Sequence, residues 1–246
     1  IIFRNDIAAR KLEGLEENVS IYPSLNPESR ILNPFLVELL ENDCVYIADL
    51  IRGQKTGWFY DQRDNRKMIA DLAKGKTLLD VYCHSGGFGV LAAKAGAKVT
   101  LVDSSKLALS MAEKAAALNG VSCELLQGDA FETMQRLSEE GARYDIVLAD
   151  PPAFVKTKKD IAAGMKGYAK VAKLAAALVA PGGLLFVASC SHHASRGAFN
   201  NAVLEGVKKA GRSGEILKQT GAAFDHPRHP LLPQSEYLKA VILRIA

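Results

Sequence analysis

The sequence predicts an α/β fold, in which a mostly parallel sheet is covered by helices on both faces and is preceded by a small β-rich domain. From residue 77 onward, short apolar runs alternate with segments of helical periodicity, a pattern typical of strand–helix–strand units. The first 60 residues lack that alternation, because Pro23, Pro27 and Pro34 interrupt it and one strand is expected over residues 44–51. We therefore expect a β-rich domain over residues 1–60 and a main domain over residues 61–246.

The apolar runs of the main domain have the length of strands, and the segments between them have helical periodicity. In the segment 106–118, for example, Leu107, Met111, Ala115 and Leu118 recur on one helical face. The strands are predicted at residues 77–82, 98–102, 122–127, 144–149, 184–189, 214–219 and 237–245, and the helices at residues 88–95, 106–118, 131–139, 161–178 and 196–209.

The composition excludes several functional classes. The 246 residues are 48% hydrophobic, and a formal net charge of +4 is too small to hold a nucleic acid by charge alone. The cysteines form no CxxC pair, which argues against a zinc ribbon or a disulfide framework and for a reducing, cytoplasmic compartment. No apolar run has the length of a membrane span, and His226 and His229 lack a third metal ligand at a suitable spacing. We expect neither a membrane nor a metal as partner.

A glycine-rich turn follows the first predicted strand. Ligands of open α/β sheets bind beyond the carboxyl ends of the strands, and residues 80–89 lie at such an end. Gly86 and Gly87 permit a tight turn and let a ligand approach the backbone. The spacing differs from GxGxxG, which argues against a dinucleotide. The expected cofactor contacts in this turn are Tyr82, Gly86, Gly87 and Phe88.

The next two strand ends carry acids. Asp103 ends the second strand, where a carboxylate can accept hydrogen bonds from both ribose hydroxyls, and Ser104 follows it. Asp129 and Ala130 follow the third strand, beside an aromatic ring for an adenine face at Phe131. The alternative role for each acid is a helix cap. With Asp80 in the run after the first strand, acids stand at three successive strand ends, and together they favour an adenosine ligand.

The fourth predicted strand ends in Asp150, which Pro151 and Pro152 follow. Two prolines fix the backbone, so the carboxylate is held at the ligand edge and can form a pocket for a flat, hydrogen-bonding ring. Pro151 and Phe154 are expected to contact that ring, Phe154 by stacking on it. The alternative is a strand that the prolines only terminate.

Cys190 follows the fifth strand and is the most specific chemical feature of the sequence. The C5 carbon of a pyrimidine is too weak a nucleophile to take a methyl group directly, whereas a thiolate that adds at C6 creates a carbanion at C5. Cys190 is therefore the candidate nucleophile, and Asp150 is the second candidate catalytic residue. The alternative is an inert, buried strand cysteine.

Six motifs carry a resemblance to a known family. They are Gly53-Gln-Lys-Thr-Gly-Trp-Phe-Tyr-Asp-Gln-Arg-Asp-Asn-Arg66, Ser85-Gly-Gly-Phe88, Asp150-Pro-Pro-Ala-Phe154, Gly167-Tyr168, Ser189-Cys-Ser191, and Asp225-His-Pro227 with Glu236-Tyr-Leu-Lys239. As an ordered set covering nearly the whole chain, they resemble the bacterial large-subunit (23S) ribosomal RNA cytosine-C5 methyltransferase family. The resemblance implies a class I methyltransferase (Rossmann-like) sheet of seven strands with the last antiparallel, S-adenosylmethionine as cofactor, and ribosomal RNA as partner. It also implies Cys190 as nucleophile and a base-binding role for Asp150.

Charged residues beside these motifs are further candidates. Arg63 precedes the first strand of the main domain and is expected to pair with the carboxylate of the methyl donor, with a surface ion-pair cluster as the alternative. Lys156 and Lys158 follow Phe154 and are expected to contact RNA phosphates, with a solvated loop as the alternative.

Two departures from the family pattern bear on function. Members usually begin with a small RNA-binding PUA domain, whereas this sequence starts in what matches their middle domain, at residues 10–14. Related enzymes often carry a second cysteine after the aspartate–proline motif, where this sequence has Ala153. Two other interpretations stay open, namely methylation of a base nitrogen without covalent catalysis and a non-catalytic RNA-binding module.

Overall fold

The computed structural model describes residues 2–7, 9–21, 36–53, 57–232 and 235–246. Pro23, Pro27 and Pro34 lie outside these ranges, as do residues 54–56 of the first motif. In chain order the described helices and strands are β1 (Ile2–Asn5), α1 (Ala9–Leu12), β2 (Asn18–Ile21), β3 (Leu36–Glu41), β4 (Cys44–Asp49), α2 (Arg63–Leu72), β5 (Thr77–Val81), α3 (Gly87–Lys94), β6 (Lys98–Asp103), α4 (Lys106–Leu118), β7 (Glu124–Gln127), α5 (Ala130–Glu139), β8 (Tyr144–Ala149), α6 (Ile161–Leu178), β9 (Val179–Ser189), α7 (Arg196–Lys209), β10 (Gly214–Gly221) and β11 (Lys239–Ile245). Two short 3-10 helices, Tyr60–Gln62 and Lys158–Asp160, precede α2 and α6.

The centre of the fold is a seven-stranded sheet of order β10-β11-β9-β8-β5-β6-β7. Strands β5 to β9 run parallel to one another, and β11 pairs antiparallel with both β9 and β10. The chain leaves β5 toward β6 and β7 and returns to β8 on the other side of β5, so the strand order reverses between β5 and β8. This sheet confirms the predicted α/β class and its antiparallel last strand.

Helices cover both faces of the sheet, which explains why its strands are nearly continuous apolar runs. Leu79 and Val187 pack with residues of α5, α6 and α7, on what we call the α6 face. Their chain neighbours Leu78 and Phe186 pack with residues of α2, α3 and α4, on what we call the α3 face. Consecutive side chains of a strand therefore alternate between the two faces, and this alternation fixes which residues meet at the strand ends.

The β3–β4 hairpin packs against α2, α3 and α4 through a third apolar cluster. Its Tyr46 ring lies 4.4 Å from the ring of Trp58, and the guanidinium of Arg66 lies 4.1 Å above the same tryptophan. Arg66 also forms a buried ion pair with Glu41 at 2.7 Å. Residues on both sides of the expected domain boundary at residue 60 thus share one buried cluster, and the boundary itself stays a prediction.

The predicted helices agree with the structure to within a residue or two, whereas the short elements β1, α1 and β2 and the longer β3 and α2 escaped prediction. Helix α2 has a polar first turn, whose Asn65 and Arg66 are nevertheless buried, so its sequence lacks an apolar signal there. Apolar and polar residues alternate only weakly along β3, and its strand conformation depends on antiparallel pairing with β4. Strand β9 begins at Val179 rather than at the predicted residue 184, because its ladder with β8 contains an irregularity around the sequence Pro181-Gly-Gly183.

Candidate active site

The glycine turn after β5 has an unusual backbone. Tyr82 has φ 64°, His84 has φ 50° and Gly86 has φ 81°, and left-handed backbone at a residue other than glycine costs about 1–3 kcal/mol. A Cβ on Gly86 would lie 2.8 Å from Val90 Cγ2, and a Cβ on Gly87 would lie 2.6 Å from Arg66 Nε. The turn therefore requires both glycines, and it holds strain of the kind found at ligand sites.

Two carboxylates hold the turn by accepting hydrogen bonds from its backbone N–H groups. Asp80 is 2% exposed, and its Oδ2 accepts a hydrogen bond of 2.9 Å from the Gly89 N–H of α3. Burial, with the nearby charges of Asp150 and Asp103, raises the pKa of Asp80 to about 7. Asp103 at the end of β6 accepts a hydrogen bond of 2.9 Å from the His84 N–H. Sequence reasoning missed the role of Asp80, although its position at a strand end could have revealed it.

The helix-cap alternatives differ between the two acids. Ser105, not Asp103, caps α4, because its side chain accepts a hydrogen bond from the Ala108 N–H. Asp103 instead accepts from the N–H of Ser105 at 2.8 Å, while Ser104 is exposed. Asp129 does cap α5, accepting from the N–H groups of Phe131 and Glu132 at 2.8 and 3.1 Å.

These strand ends meet at one edge of the sheet. Val81 is in register with Val102 on one side and with Ala149 on the other, and Asp103 is in register with Gln127. Tyr82, Asp103, Asp129 with Ala130, and Asp150 therefore follow neighbouring strand positions. Phe88 departs from its expected role in one respect, because its ring is buried on the α3 face at 5.3 Å from Phe186. Cofactor contact by these residues stays a prediction.

Asp150 is oriented by a polar pair at the start of α2. Gln62 Nε2 donates a hydrogen bond of 2.8 Å to Asp150 Oδ2, and Asn65 Nδ2 donates one of 2.6 Å to Gln62 Oε1. Gln62 is 2% exposed and Asp150 is half-buried, so the contact between them is partly shielded from water. The sequence signal is the polar run before the first main-domain strand, and nothing in that run singles out Gln62.

The loop after Asp150 packs on α6. Pro151 is buried, and the Phe154 ring lies 4.9 Å from the ring of Tyr168. A Cβ on Gly167 would lie 2.9 Å from the Phe154 ring, so the ring packs against α6 at a position where only glycine leaves enough space. Lys156 and Lys158 are exposed, as the solvated-loop alternative also expects. Stacking by Phe154 and phosphate contact by the two lysines stay predictions.

A buried hydroxyl network holds the two serines around Cys190. The Ser189 Oγ donates to the Tyr168 Oη at 2.8 Å, and the Tyr168 Oη lies 2.8 Å from the Ser191 Oγ. The Ser191 Oγ also accepts a hydrogen bond of 3.1 Å from the Val155 N–H. All three hydroxyl side chains are fully buried. The network fixes the chain on both sides of Cys190 and ties it to the loop after Asp150.

Cys190 and Asp150 follow neighbouring parallel strands, with Ala149 in register with Val187. Leu148 and Ala188 lie on the α3 face, so alternation directs Asp150 and Cys190 to that face as well. The contact from Gln62, directly before α2, agrees with this direction for Asp150, and the serines bound to α6 agree with it for Cys190. Cys190 is half-buried and forms no disulfide.

Arg63 lies in a charged cluster beside this site. Its Nη1 is 2.7 Å from Asp225 Oδ2, and its guanidinium lies 5.1 Å from the centre of the Phe224 ring. This arrangement is the ion-pair alternative, and contact with a cofactor carboxylate stays a prediction. The nearby Asp61 is buried, with its Oδ2 accepting a hydrogen bond of 2.7 Å from the Tyr237 hydroxyl.

Among the described residues there is neither a membrane-spanning helix nor a metal site. Within them, none of the helices combines the length and the apolar character needed to cross a membrane. In the same part of the chain, no group of three or more His, Cys, Asp or Glu side chains could hold a metal ion. His226 Nδ1 instead lies 2.9 Å from Asp225 Oδ1.

Residues 31–244 match the model of the S-adenosylmethionine-dependent methyltransferase family. The chain belongs to this family. Membership confirms S-adenosylmethionine as the cofactor expected from the sequence and agrees with the class I methyltransferase sheet.

Relatives of this methyltransferase include the ribosomal RNA large subunit methyltransferases I. The protein of Aeromonas hydrophila subsp. hydrophila is 37% identical over 246 residues, which are 98% of this chain and 60% of that protein. The protein of Shewanella frigidimarina is 34% identical with the same coverage. The methyltransferase thus spans about 60% of the length of these curated relatives.

Solved structures share the fold of the methyltransferase. SMU.776, provisionally described as a methyltransferase and solved in complex with SAH, has a TM-score of 0.77 and 25% identity over 86% of this chain and 56% of that chain. The SAM-dependent methyltransferase from Agrobacterium tumefaciens has a TM-score of 0.67 and 18% identity over 93% of this chain and 74% of that chain. The second similarity concerns the fold alone.

Proposed function

We propose that this chain methylates the C5 carbon of a cytosine in large-subunit ribosomal RNA, with Cys190 as a covalent nucleophile and Asp150 as the residue that binds the base. One observation carries the proposal: Asp150 and Cys190 follow adjacent parallel strands and alternate onto the same face, beside the glycine turn. The names of the relatives, ribosomal RNA large subunit methyltransferase I, support RNA as the substrate.

The residues at the sheet edge fit S-adenosylmethionine chemically. That molecule presents ribose hydroxyls, an adenine amine and a methionine ammonium, all of which donate hydrogen bonds, and its sulfonium is positive. Asp103 and Asp129 at the edge offer acceptors and negative charge, and the glycine turn of Gly86 and Gly87 lets a ligand approach the backbone. In our proposal Tyr82 and Ala130 line the same pocket.

Cytosine C5 is too weakly nucleophilic to take a methyl group without activation, and in our proposal Cys190 supplies that activation by adding to C6. The thiolate forms a bond from Sγ to C6, and the C5–C6 electron pair moves to C5. When bound, S-adenosylmethionine supplies the electrophilic methyl group for that carbon. A base then takes the C5 proton, the C5–C6 double bond reforms, and the Sγ–C6 bond breaks to return the thiolate.

Asp150 holds the base during these steps. Its carboxylate accepts a hydrogen bond from the cytosine amino group, and the Gln62 amide at 2.8 Å keeps it in place. The backbone of Pro151 and Pro152 limits its movement. Phe154 contributes an aromatic surface beside the ring, and the exposed Lys156 and Lys158 contact the RNA phosphates.

A cysteine substitution tests the mechanism. Cys190→Ala is expected to abolish methylation of large-subunit ribosomal RNA prepared from cells lacking the enzyme, while calorimetry shows nearly unchanged binding of S-adenosylmethionine. Cys123→Ala, which changes a half-buried cysteine far from this strand end, serves as the matched control and should stay active. Turnover by Cys190→Ala would exclude covalent catalysis and would favour methylation of a base nitrogen.

A further inference from the structure

A buried lysine binds the backbone of Ser191, the residue that follows the proposed nucleophile. Lys239, the first residue of β11, is only 4% exposed, and a lysine is seldom buried so deeply without a paired charge. Its Nζ donates hydrogen bonds to the carbonyl oxygens of Ser191 and Tyr237, at 2.8 and 2.9 Å. Within the described chain, no carboxylate forms an ion pair with this ammonium.

The ammonium of Lys239 lies where the chain passes Cys190. Lys239 is in register with Ser189 across the β9–β11 pair and so starts on the α6 face, opposite the face of Cys190. Its ammonium nevertheless reaches past the strand end to the carbonyl of Ser191. Ser189, before Cys190, is therefore paired with Lys239 in the sheet, and Ser191, after Cys190, is bound by the Lys239 ammonium.

The charges of Lys239 and Cys190 act on each other. The pKa of the Lys239 ammonium is lowered to about 8, first by burial and then by the charge of Arg196, while Cys190 and then Glu236 oppose this lowering. An electrostatic interaction between two ionisable groups is mutual, so a charged Lys239 favours the thiolate as the thiolate favours the ammonium. Among the negative groups, Cys190 has the largest effect on this lysine.

The other ionisable groups around Cys190 do not replace that cation. Tyr168 from α6 and Tyr237 before β11 are neutral phenols, and burial raises the pKa of each. Asp150 follows the neighbouring strand, and Asp61 accepts a hydrogen bond from Tyr237, so both carboxylates oppose a second negative charge. The ring of His192, two residues after Cys190, lies 5.4 Å from the Tyr237 ring.

We infer that Lys239 is a positioning residue for Cys190: its ammonium stabilises the Cys190 thiolate, and its hydrogen bond to Ser191 fixes the chain that carries the sulfur. The inference rests on the proposed role of Cys190 as the nucleophile. A lysine with a purely structural role would hold the same two carbonyls without changing the ionisation of the thiol.

Thiol alkylation separates these two roles without RNA or methyl donor. The whole chain is treated with iodoacetamide between about pH 6 and pH 10, and the modification of Cys190 is followed by peptide mass spectrometry. In the wild-type protein the midpoint is expected below the roughly pH 8.5 of an ordinary thiol. Lys239→Met should raise it by about one pH unit or more and slow alkylation near neutral pH about tenfold, while Lys239→Arg should restore most of the shift.

Lys218→Met, which changes an exposed lysine on the neighbouring strand β10, is the matched control and should leave the midpoint unchanged. A wild-type midpoint above that of an ordinary thiol, or an unchanged midpoint in Lys239→Met, would overturn the inference. If circular dichroism shows that Lys239→Met does not fold, the wild-type and Lys239→Arg profiles decide. A low midpoint without any methyl transfer would refute the proposed function alone, and methyl transfer with an ordinary midpoint would refute the role of Lys239 alone.

Discussion

The hydroxyl of Tyr168 is expected to contribute both to stability and to the placement of Cys190. It bonds to the Oγ atoms of Ser189 and Ser191, each at 2.8 Å, and all three side chains are fully buried. Tyr168→Phe leaves the Ser189 hydroxyl without its acceptor, whereas Ser191 keeps its contact with the Val155 N–H. An unsatisfied buried polar group costs about 1–3 kcal/mol, so with the second weakened contact we expect a loss of about 2–4 kcal/mol in the free energy of unfolding.

Urea unfolding followed by circular dichroism measures this loss, and methyl transfer measured under conditions where the variant is folded is expected to fall as well. Tyr60→Phe, at a tyrosine that is 51% exposed, is the control and should change the free energy of unfolding by less than about 0.5 kcal/mol. A change below about 0.5 kcal/mol in Tyr168→Phe would refute the argument that this network holds the serines.

Three further predictions concern the sheet edge. Because burial raises the pKa of Asp80 from its ordinary value to about 7, the native state binds more protons than the unfolded state between about pH 4 and pH 7, and stability falls across that window as pH rises. Asp80→Asn should flatten this fall and exceed the wild-type free energy of unfolding by up to about 4 kcal/mol above pH 7, as thermal melts at several pH values can check; an equally steep fall in the variant would contradict the assignment. Gly87→Ala should cost about 1–3 kcal/mol in urea unfolding, because its Cβ would lie 2.6 Å from the ion-paired Arg66, and a neutral result would show that Arg66 can move aside. Removing the exposed charges of Lys156 and Lys158 together by alanine substitution should weaken RNA binding and lower the slope of its salt dependence by about 2, with S-adenosylmethionine binding unchanged; an unaltered slope would assign these lysines to solvent.

Apolar periodicity sufficed for most of the fold, because strands β5, β6, β8 and β9 are buried on both faces and read as continuous apolar runs. The same reasoning located Asp150 and Cys190, since residues after parallel strands share one edge of the sheet. It could not reveal Lys239, because its partner is a carbonyl 48 residues away along the chain.

Polar contacts over long sequence distances explain the other omissions. Gln62 reaches Asp150 across 88 residues, and the amphipathic pattern that buries Tyr168 on α6 does not say which hydroxyls meet it. Helix α2 escaped prediction for a related reason, since its buried first turn is built from polar side chains that find their partners only in the folded state.

Trapping of a covalent complex would show whether Cys190 is the nucleophile. In RNA that carries 5-fluorocytosine at the target position, fluorine cannot leave C5 as the proton does, so the Sγ–C6 bond cannot break. With S-adenosylmethionine present, the wild-type protein should form an adduct crosslinked at Cys190, and Cys190→Ala should form none. The mass of the adduct should equal protein plus RNA plus one CH2 unit, because a methyl group is gained and the thiol proton is lost. If the protein methylates ordinary RNA efficiently but forms no covalent adduct with the fluorinated RNA, Cys190 is not a covalent nucleophile.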